Sequence, residues 1–593
     1  MSVRDEFSRF TVITIPLVLA RPKIHAFIAV CTEPSSPNSF SDTCEITNMP
    51  PKVESKAKKA PKVKGLDLKD ADKGVVTRFP PEPSGYLHIG HAKAALLNDY
   101  FAHIQYPGGK MILRFDDTNT EKEKEEYQDA IMEDVALLGI KPDMISYTSD
   151  YFDEIDKYCV KIIEAGKAFA DDTPGDVMST MRMAREPSVH RDNSIEDNLK
   201  RYEEMKTGSD EGRRWCIRAK ISFANNNASL RDPVIYRCPK EQKPHHRTGA
   251  KYKAYPTYQF ACPVVDCLEG VTHALRTTEY NDQDAQYKWI LKALELRTPY
   301  IWTFSKIQFV RTLMSKRKLT KLVDAHVVSG WDDPRFPTVR GIRRRGMTIE
   351  GLRDFMVSQG PSKNIVNMDW HTIWAMNKKV IDQTAARYTA IDNTYVKCKV
   401  NRFPKDAPYS DKQKLHAKFD LGEKDVWYSE NLALEQEDCR SFAEGEEITL
   451  MNWGNAIVKS ITYQKSKTDD VTDGVNSLGN VESIEFDLHL EGDFKATKKK
   501  VTWLSLDQDL VPVQLIDFDY LLSKDKLTEE EENKWEDFLT PKTEFKSEAI
   551  ADCNIWNIKK DDIFQYDRKG YYRCDVPPTK EKPGVFFKVP SGK

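Results

Sequence analysis

Paired cysteines are missing. The chain has 11 cysteines in 593 residues, an odd and scattered set with no Cys-x-x-Cys pair. That excludes a disulfide scaffold and fits free thiols in a reducing compartment. A structural zinc site needs a full ligand set in tight pairs. Cys238 with His245 and His246 falls short of one, so no structural metal is expected. An excess of one charge is missing too. The formal net charge is -3, which names no partner and leaves room for local basic patches. Long apolar runs are also absent. The longest near the start, Thr11–Ala20, is well below the roughly 20 residues that cross a bilayer, so no membrane partner is expected.

What is present is an ordinary globular mixture, 40% hydrophobic and 31% charged. The length suggests about four domains. In residues 1–50, Arg4, Arg9, Arg21 and Lys23 resemble a transit segment, which leaves an organellar address open. Asp5, Glu6 and the lack of a small-residue cleavage site favour a disordered extension, or sequence upstream of a start at Met49. Lys52, Lys56, Lys58, Lys59, Lys62 and Lys64 then form a solvated linker, with nonspecific RNA contact as its second reading. Residues 1–74 are read together as extension and linker.

Strand and helix alternate from there. Val75–Phe79 reads as a buried strand, Ile89–Tyr100 as a helix, Met111–Phe115 as a strand and Glu121–Leu138 as a helix. This predicts a parallel α/β sheet of Rossmann type, with its first half in 75–149 and its second in 258–308. The polar stretch 150–257 reads as an insertion, and 309–390 as helical. In 391–593 the period becomes two, as in Val396, Cys398, Val400 and in Ile484, Phe486, Leu488, which predicts β-barrels. Asp567–Gly570 reads as a turn; Lys465–Asn476 and Thr528–Lys534 read as surface insertions.

Two segments carry chemistry. Arg78-Phe-Pro-Pro-Glu-Pro-Ser-Gly-Tyr-Leu-His-Ile-Gly-His91 lies between a strand and a helix, where doubly wound sheets bind nucleotides. Gly85 and Gly90 permit close backbone approach, and the following helix offers free N–H groups to phosphate. His88 and His91 can point the same way and donate to charge developing on a phosphoryl group. More than 200 residues later, Leu313-Met-Ser-Lys-Arg317, followed by Lys318 and Lys321, can neutralise a departing pyrophosphate.

Together these segments resemble the signatures of the class I aminoacyl-tRNA synthetases, within them the glutamyl/glutaminyl group. His88–His91 reads as the HIGH signature in full. Met314, Ser315 and Lys316 match the centre of KMSKS, with Leu313 and Arg317 as departures at its ends. The resemblance implies His88, His91 and Lys316 as catalytic groups. It places ATP against His88, Gly90, His91, Glu279 and Leu313–Arg317. It places the amino acid against Arg78, Phe79, Pro80, Glu82, Asp116, Tyr258, Cys262 and Arg276, with Asp116 receiving the ammonium. Arg276 decides the substrate: the glutaminyl branch carries a small uncharged residue there, and a guanidinium suits a carboxylate. Pro83-Ser84-Gly85, where that branch has Pro-Asn-Gly, points the same way. The alternative for Arg276 is a structural ion pair, with Glu279 as partner.

The resemblance further implies glutamyl-adenylate formation with Mg2+ on the phosphates, no metal held by the protein, and transfer to the 2'-hydroxyl of tRNA(Glu). Activation in this group typically requires bound tRNA. The insertion would grip the acceptor end and the barrels the anticodon, as in the eukaryotic and archaeal form. Arg335, Arg340, Arg343, Arg344 and Arg345 would contact tRNA phosphates. A cytoplasmic monomer is expected, with association into a multi-synthetase complex left open. The competing readings are a glutaminyl enzyme, a non-catalytic tRNA-binding paralogue and a small HxGH nucleotidyltransferase.

Overall fold

The computed structural model describes residues 66–592, apart from 122–124, 242 and 465–479. The readings of Thr11–Ala20, of the lysines from Lys52 to Lys64 and of Lys465–Asn476 lie outside the described residues.

The first strand, β1 (Val76–Phe79), is followed by α1 (Ile89–Asp99), β2 (Lys110–Phe115), α2 (Glu125–Leu137) and β3 (Met144–Tyr147). Residues 111–115 of β2 are buried on both faces, so the strand reads as a near-continuous apolar run. β1 pairs parallel with β2, and β2 parallel with β3. The folded body begins earlier than Gly74. Leu66 and Leu68, expected in the linker, are buried against Leu97, Tyr100 and Trp302.

The chain then leaves the sheet. α3 (Phe152–Glu164), β4 (Ala168–Asp171), α4 (Gly175–Ala184), α5 (Ile195–Thr207), β5 (Cys216–Ala219), β6 (Val234–Arg237) and β7 (Tyr255–Pro256) form an antiparallel four-stranded layer with helices. It returns through α6 (Tyr258–Leu268), β8 (His273–Thr277), α7 (Asn281–Ala293) and β9 (Tyr300–Phe304), with β8 and β9 parallel. The insertion does not have a core to itself. Phe152, Ile163, Tyr202 and Ile235 pack in one cluster with Phe260 and Val264 of α6 and Ile290 of α7. Position 257 therefore marks a change in chain direction rather than a boundary between cores.

β8 lies beside β1, where Thr272 N–H donates to the Val76 carbonyl over 3.0 Å. The strand order is thus β9-β8-β1-β2-β3, and it reverses between β8 and β1. Ligands in open α/β sheets bind at such a reversal, beyond the carboxyl ends of the strands.

One buried carboxylate holds the two halves together. Asp266 of α6 accepts from Arg78 Nε of β1 over 3.0 Å, from Arg114 of β2, and from the Tyr287 hydroxyl of α7 over 2.8 Å. Arg114 also meets Glu269 over 2.7 Å. Burial alone would raise the Asp266 pKa, but the two guanidiniums bring it to about 2.

Next come α8 (Lys316–Asp324), α9 (Val339–Arg344), α10 (Ile349–Ser358) and α11 (Trp370–Ile381). The arginines expected on tRNA phosphates all have partners inside the protein. Arg340 bonds Asp134 over 2.8 Å and Glu133 over 2.7 Å, and Arg335 bonds Asp333. Arg343 donates to the Met347 carbonyl, Arg345 to the Phe518 carbonyl over 2.6 Å. Arg344 grips Asp575 with two 2.8 Å bonds. Each guanidinium of the run therefore also ties parts of the protein together through a nearby carboxylate or carbonyl.

The C-terminal region forms two seven-stranded, barrel-like sheets. One is built from strands between 396 and 505 around Val400, Leu432, Ile448 and Phe486. The other joins the short strands 387–388 and 390–392 to strands between 511 and 589. Tyr571 and Val589 of this second sheet enter the main catalytic core. The expected turn at 567–570 lies between the strands Ile563–Tyr566 and Gly570–Val576. The surface insertion read at Thr528–Lys534 is anchored rather than free. Trp535, Leu521 and Leu527 pack with Leu319 and Leu322 of α8.

Replacing Asp266 by Ala strands two buried guanidiniums and should cost about 3–5 kcal/mol. Chemical denaturation followed by intrinsic fluorescence tests this, and an unchanged midpoint would refute the tie. The sign follows from the depressed pKa. Stability from this group is full above the ordinary Asp range and falls as pH drops toward about 2.

Candidate active site

A cleft of about 860 Å³ opens where the strand order reverses. Its walls include Arg78 and Phe79 of β1, Pro80 and Glu82 after it, Asp116 after β2, Tyr258 of α6 and Arg276 of β8. His91 reaches the same cleft from α1.

The two histidines are built into the helix start. His88 is the N-cap of α1, and its Nδ1 accepts from Gly90 N–H over 3.0 Å. His91 Nδ1 accepts from His88 N–H over 3.2 Å, and the two rings stack 3.8 Å apart. Because each Nδ1 accepts, a neutral ring carries its proton on Nε2, free to donate. Burial keeps both rings neutral. It lowers His91 to about 4, and holds His88 well below its usual value with help from His91 and Lys306. The segment is braced from outside as well. Leu87 N–H donates to Asp134 over 2.9 Å, and Arg340 grips that carboxylate. Ile89 and Leu87 exchange backbone bonds with Pro337 and Val339.

The distant signature arrives at the first. A Cβ on Gly85 would lie 2.7 Å from Lys316 Cε, and one on Gly90 would lie 3.7 Å from Met314 Cε. A side chain at position 85 would push the end of Lys316 aside. Lys316 is the first residue of α8, with Ser315 as N-cap, and its Nζ stands 4.2 Å over the Tyr127 ring. Leu313 is buried in the cluster that receives Trp535. Lys318 pairs with Glu532, and Lys321 with Glu536 over 2.9 Å. Of the lysine run, only Lys316 is directed to the first signature.

The amino-acid residues divide into two sets. Asp116 faces the cleft with Thr118 bonded to it at 3.2 Å. Burial, Asp117 and Glu82 push its pKa to about 7, against the pull of Arg114. Arg78 is fully buried, with donors on Asp266 and, over 3.0 Å, on the Leu275 carbonyl. It forms the cleft floor, where Asp266 and the Leu275 carbonyl hold it in place. Cys262 lies 3.8 Å from Arg78 and Arg114 in the same network. Arg276 meets Asp284 over 2.7 Å; Glu279, weighed above as that partner, pairs with Lys306 over 2.9 Å.

Asp266, Asp284 and Tyr287 were not singled out from the sequence. A signal existed for Asp266: Tyr258, Cys262 and Asp266 recur every four residues, on one face of a helix. An acid on that otherwise apolar face demands a buried cation.

Other clusters with ligand-type side chains are committed elsewhere. Cys238 Sγ points to the Met205 and Gly212 carbonyls, while His245 bonds the Asp117 carbonyl over 2.8 Å. Asp171, Asp172 and His190 converge, but Arg218 and Arg214 pair with the two acids.

Comparison with known proteins agrees with this geometry. Residues 74–383 match the family described as tRNA synthetases class I (E and Q), catalytic domain. Residues 385–476 and 500–575 match anti-codon binding domains of the same group. The chain is 55% identical to the probable cytoplasmic glutamate–tRNA ligase of Schizosaccharomyces pombe, spanning 94% of this chain and 76% of that one. It is 54% identical to the cytoplasmic glutamate–tRNA ligase of Saccharomyces cerevisiae, over 89% and 72%. It is also 46% identical to the bifunctional glutamate/proline–tRNA ligase of Cricetulus griseus, over 89% of this chain but 34% of that longer one. By the extent of these matches, the chain belongs to the class I tRNA synthetases of the glutamate and glutamine group.

Proposed function

We propose that this chain uses ATP to activate L-glutamate as glutamyl-adenylate and transfers it to the 3' end of tRNA(Glu), releasing diphosphate and AMP. The observation that carries this is the approach of the second signature to the first, Lys316 over Gly85 and Met314 near Gly90, beside a cleft lined by His91, Asp116 and Arg276.

The chemistry asks mainly for positioning and charge stabilisation. Neutral His88 and His91 donate Nε2–H to the phosphoryl oxygens at the α1 N-terminus. Lys316, laid across Gly85, meets the negative charge of the departing diphosphate. Asp116 receives the substrate ammonium. Arg276 reads the side-chain carboxylate, which an amide cannot replace without facing donor to donor. Mg2+ carried on the ATP phosphates would supply further positive charge there; the acids lining the cleft are Glu82 and Asp116, and Glu279 is paired with Lys306. The β sheets receive the anticodon and the 150–257 insertion the acceptor end. A cytoplasmic location is the reading that the names of its relatives support. No helix among the described residues is long and apolar enough to cross a membrane.

Pyrophosphate exchange with glutamate or glutamine, with and without tRNA, tests the whole scheme. Exchange is expected with glutamate in the presence of tRNA. Preference for glutamine would overturn the pocket reading, and no exchange with either would leave a tRNA-binding paralogue.

Lys316→Ala should lower the activation rate roughly 100-fold. Gly85→Ala should act in the same direction by displacing Lys316, with the KM for glutamate little changed. A normal rate in Gly85→Ala would mean that this contact has no part in activation.

The kcat/KM for glutamate should fall as pH drops below about 7, because protonated Asp116 cannot pair with an ammonium. Asp116→Asn should lower kcat/KM and remove that limb. A limb that persists in Asp116→Asn belongs to another group. His91, protonated only near about 4, should add none at neutral pH.

A further inference from the structure

Behind the cleft, between α6 and α7, lies a small recess lined by Tyr258, Cys262, Arg276, Gln283, Gln286 and Tyr287. Arg276, Gln283 and Gln286 also line the main cleft, so the recess is its inner end. Buried polar atoms without partners gather here: Arg276 Nε, Gln286 Nε2 and Gln283 Oε1. Buried donors are nearly always paired in folded proteins. Two unpaired donors at the end of a substrate cleft are what a ligand's acceptors would complete.

The guanidinium has a defined presentation. Arg276 lies 4.7 Å from the Tyr280 ring centroid and 5.2 Å from that of Tyr287, which fix its plane. Nη1 is taken by Asp284. The edge left is that of Nε and Nη2, which matches a carboxylate side-on with two parallel bonds. Asp284 is 21% exposed and Arg276 only 5%, so the guanidinium is the more deeply buried partner. Gln286 is buried, 3% exposed, and opens onto the same space.

We propose that Asp284 and Gln286 complete the subsite for the substrate's side-chain carboxylate. Asp284 is a positioning residue that occupies Nη1 and so presents the Nε edge of Arg276. Gln286 is a binding residue that donates Nε2–H to the same carboxylate as a third donor. Neither residue matches a position quoted from the family's signatures. The proposal rests on the reading of Arg276 as the group that meets glutamate. A glutamine side chain would turn its own N–H groups toward at least one of these donors, so the pair adds to selection against the amide.

The test is steady-state charging of tRNA with glutamate and with glutamine by the full-length protein. Gln286→Leu should raise the KM for glutamate about tenfold, with kcat, the KM for ATP and the melting temperature little changed. Asp284→Asn should raise the same KM about tenfold and narrow the preference for glutamate over glutamine, and Asp284→Glu should restore part of it. Arg276→Ala, run beside them, separates the two levels of the argument. If it raises the KM for glutamate strongly while both other variants leave it unchanged, the proposal is overturned and the reading of Arg276 stands. If Arg276→Ala leaves that KM unchanged, the reading itself fails. A loss shared by kcat, ATP binding and melting temperature would make Asp284 and Gln286 merely structural, and would also overturn the proposal.

Discussion

A single carboxylate, that of Asp266, allows two arginines to stand side by side in the centre of a buried parallel sheet. Arg78 and Arg114 come from neighbouring strands, and Asp266 lies 188 residues beyond Arg78 in the chain. Neither guanidinium has water to dissolve in, so the acid is needed by both. The second half of the sheet must therefore dock on the first in one register. The same docking brings β8 alongside β1 and creates the strand reversal that the cleft occupies. It also explains why a site meant for anionic substrates has an electrically balanced floor. The positive charge proposed to meet ligand is that of Arg276 and Lys316, each held by a separate device.

A second chain of dependence runs from the helical region to the first signature. Arg340 grips Asp134, and Asp134 caps the Leu87 amide, one residue before the N-cap of α1. Thr338 forms a bridge with His88 itself. The turn carrying the histidines is thus clamped between α2 and α9, which pre-orients two neutral rings before any nucleotide arrives. A charge run records composition and not partners. Arg335 and Arg343 are answered nearby, by Asp333 and the Met347 carbonyl, while Arg340, Arg344 and Arg345 reach distant partners: Glu133 and Asp134, Asp575, and the Phe518 carbonyl.

The same distinction explains what the sequence made legible. Strand β1, helices α1 and α2 and strand β2 were readable because their periodicity is local. The alternation in 391–593 announced β structure. It did not reveal that the two sheets are interleaved, since pairing is a long-range property. The signatures at His88–His91 and Met314–Lys316 were legible as motifs, and their contact through Gly85 needed coordinates. Arg78 was legible as a motif position, but its tie to Asp266 was not, because a motif tells which residue is present and not which buried acid answers it. Asp284 and Gln286 lie on an ordinary amphipathic helix, and only the unpaired atoms facing the recess set them apart.

The interleaving bears on how the chain is made. The strand Gly584–Val589 is inserted between 570–576 and 511–518, so it is interior to its sheet rather than an edge. Val589 also reaches back to the main core and touches Gly346. During synthesis the sheet around 396–505 holds all its own strands and can close as soon as they emerge. The sheet that begins at 387 cannot: its early strands must wait, with a central slot empty, until nearly two hundred later residues have been translated. The joint between the catalytic body and the β region is therefore the last part to mature, and a ribosome that stalls late would release a catalytic core with its flank open.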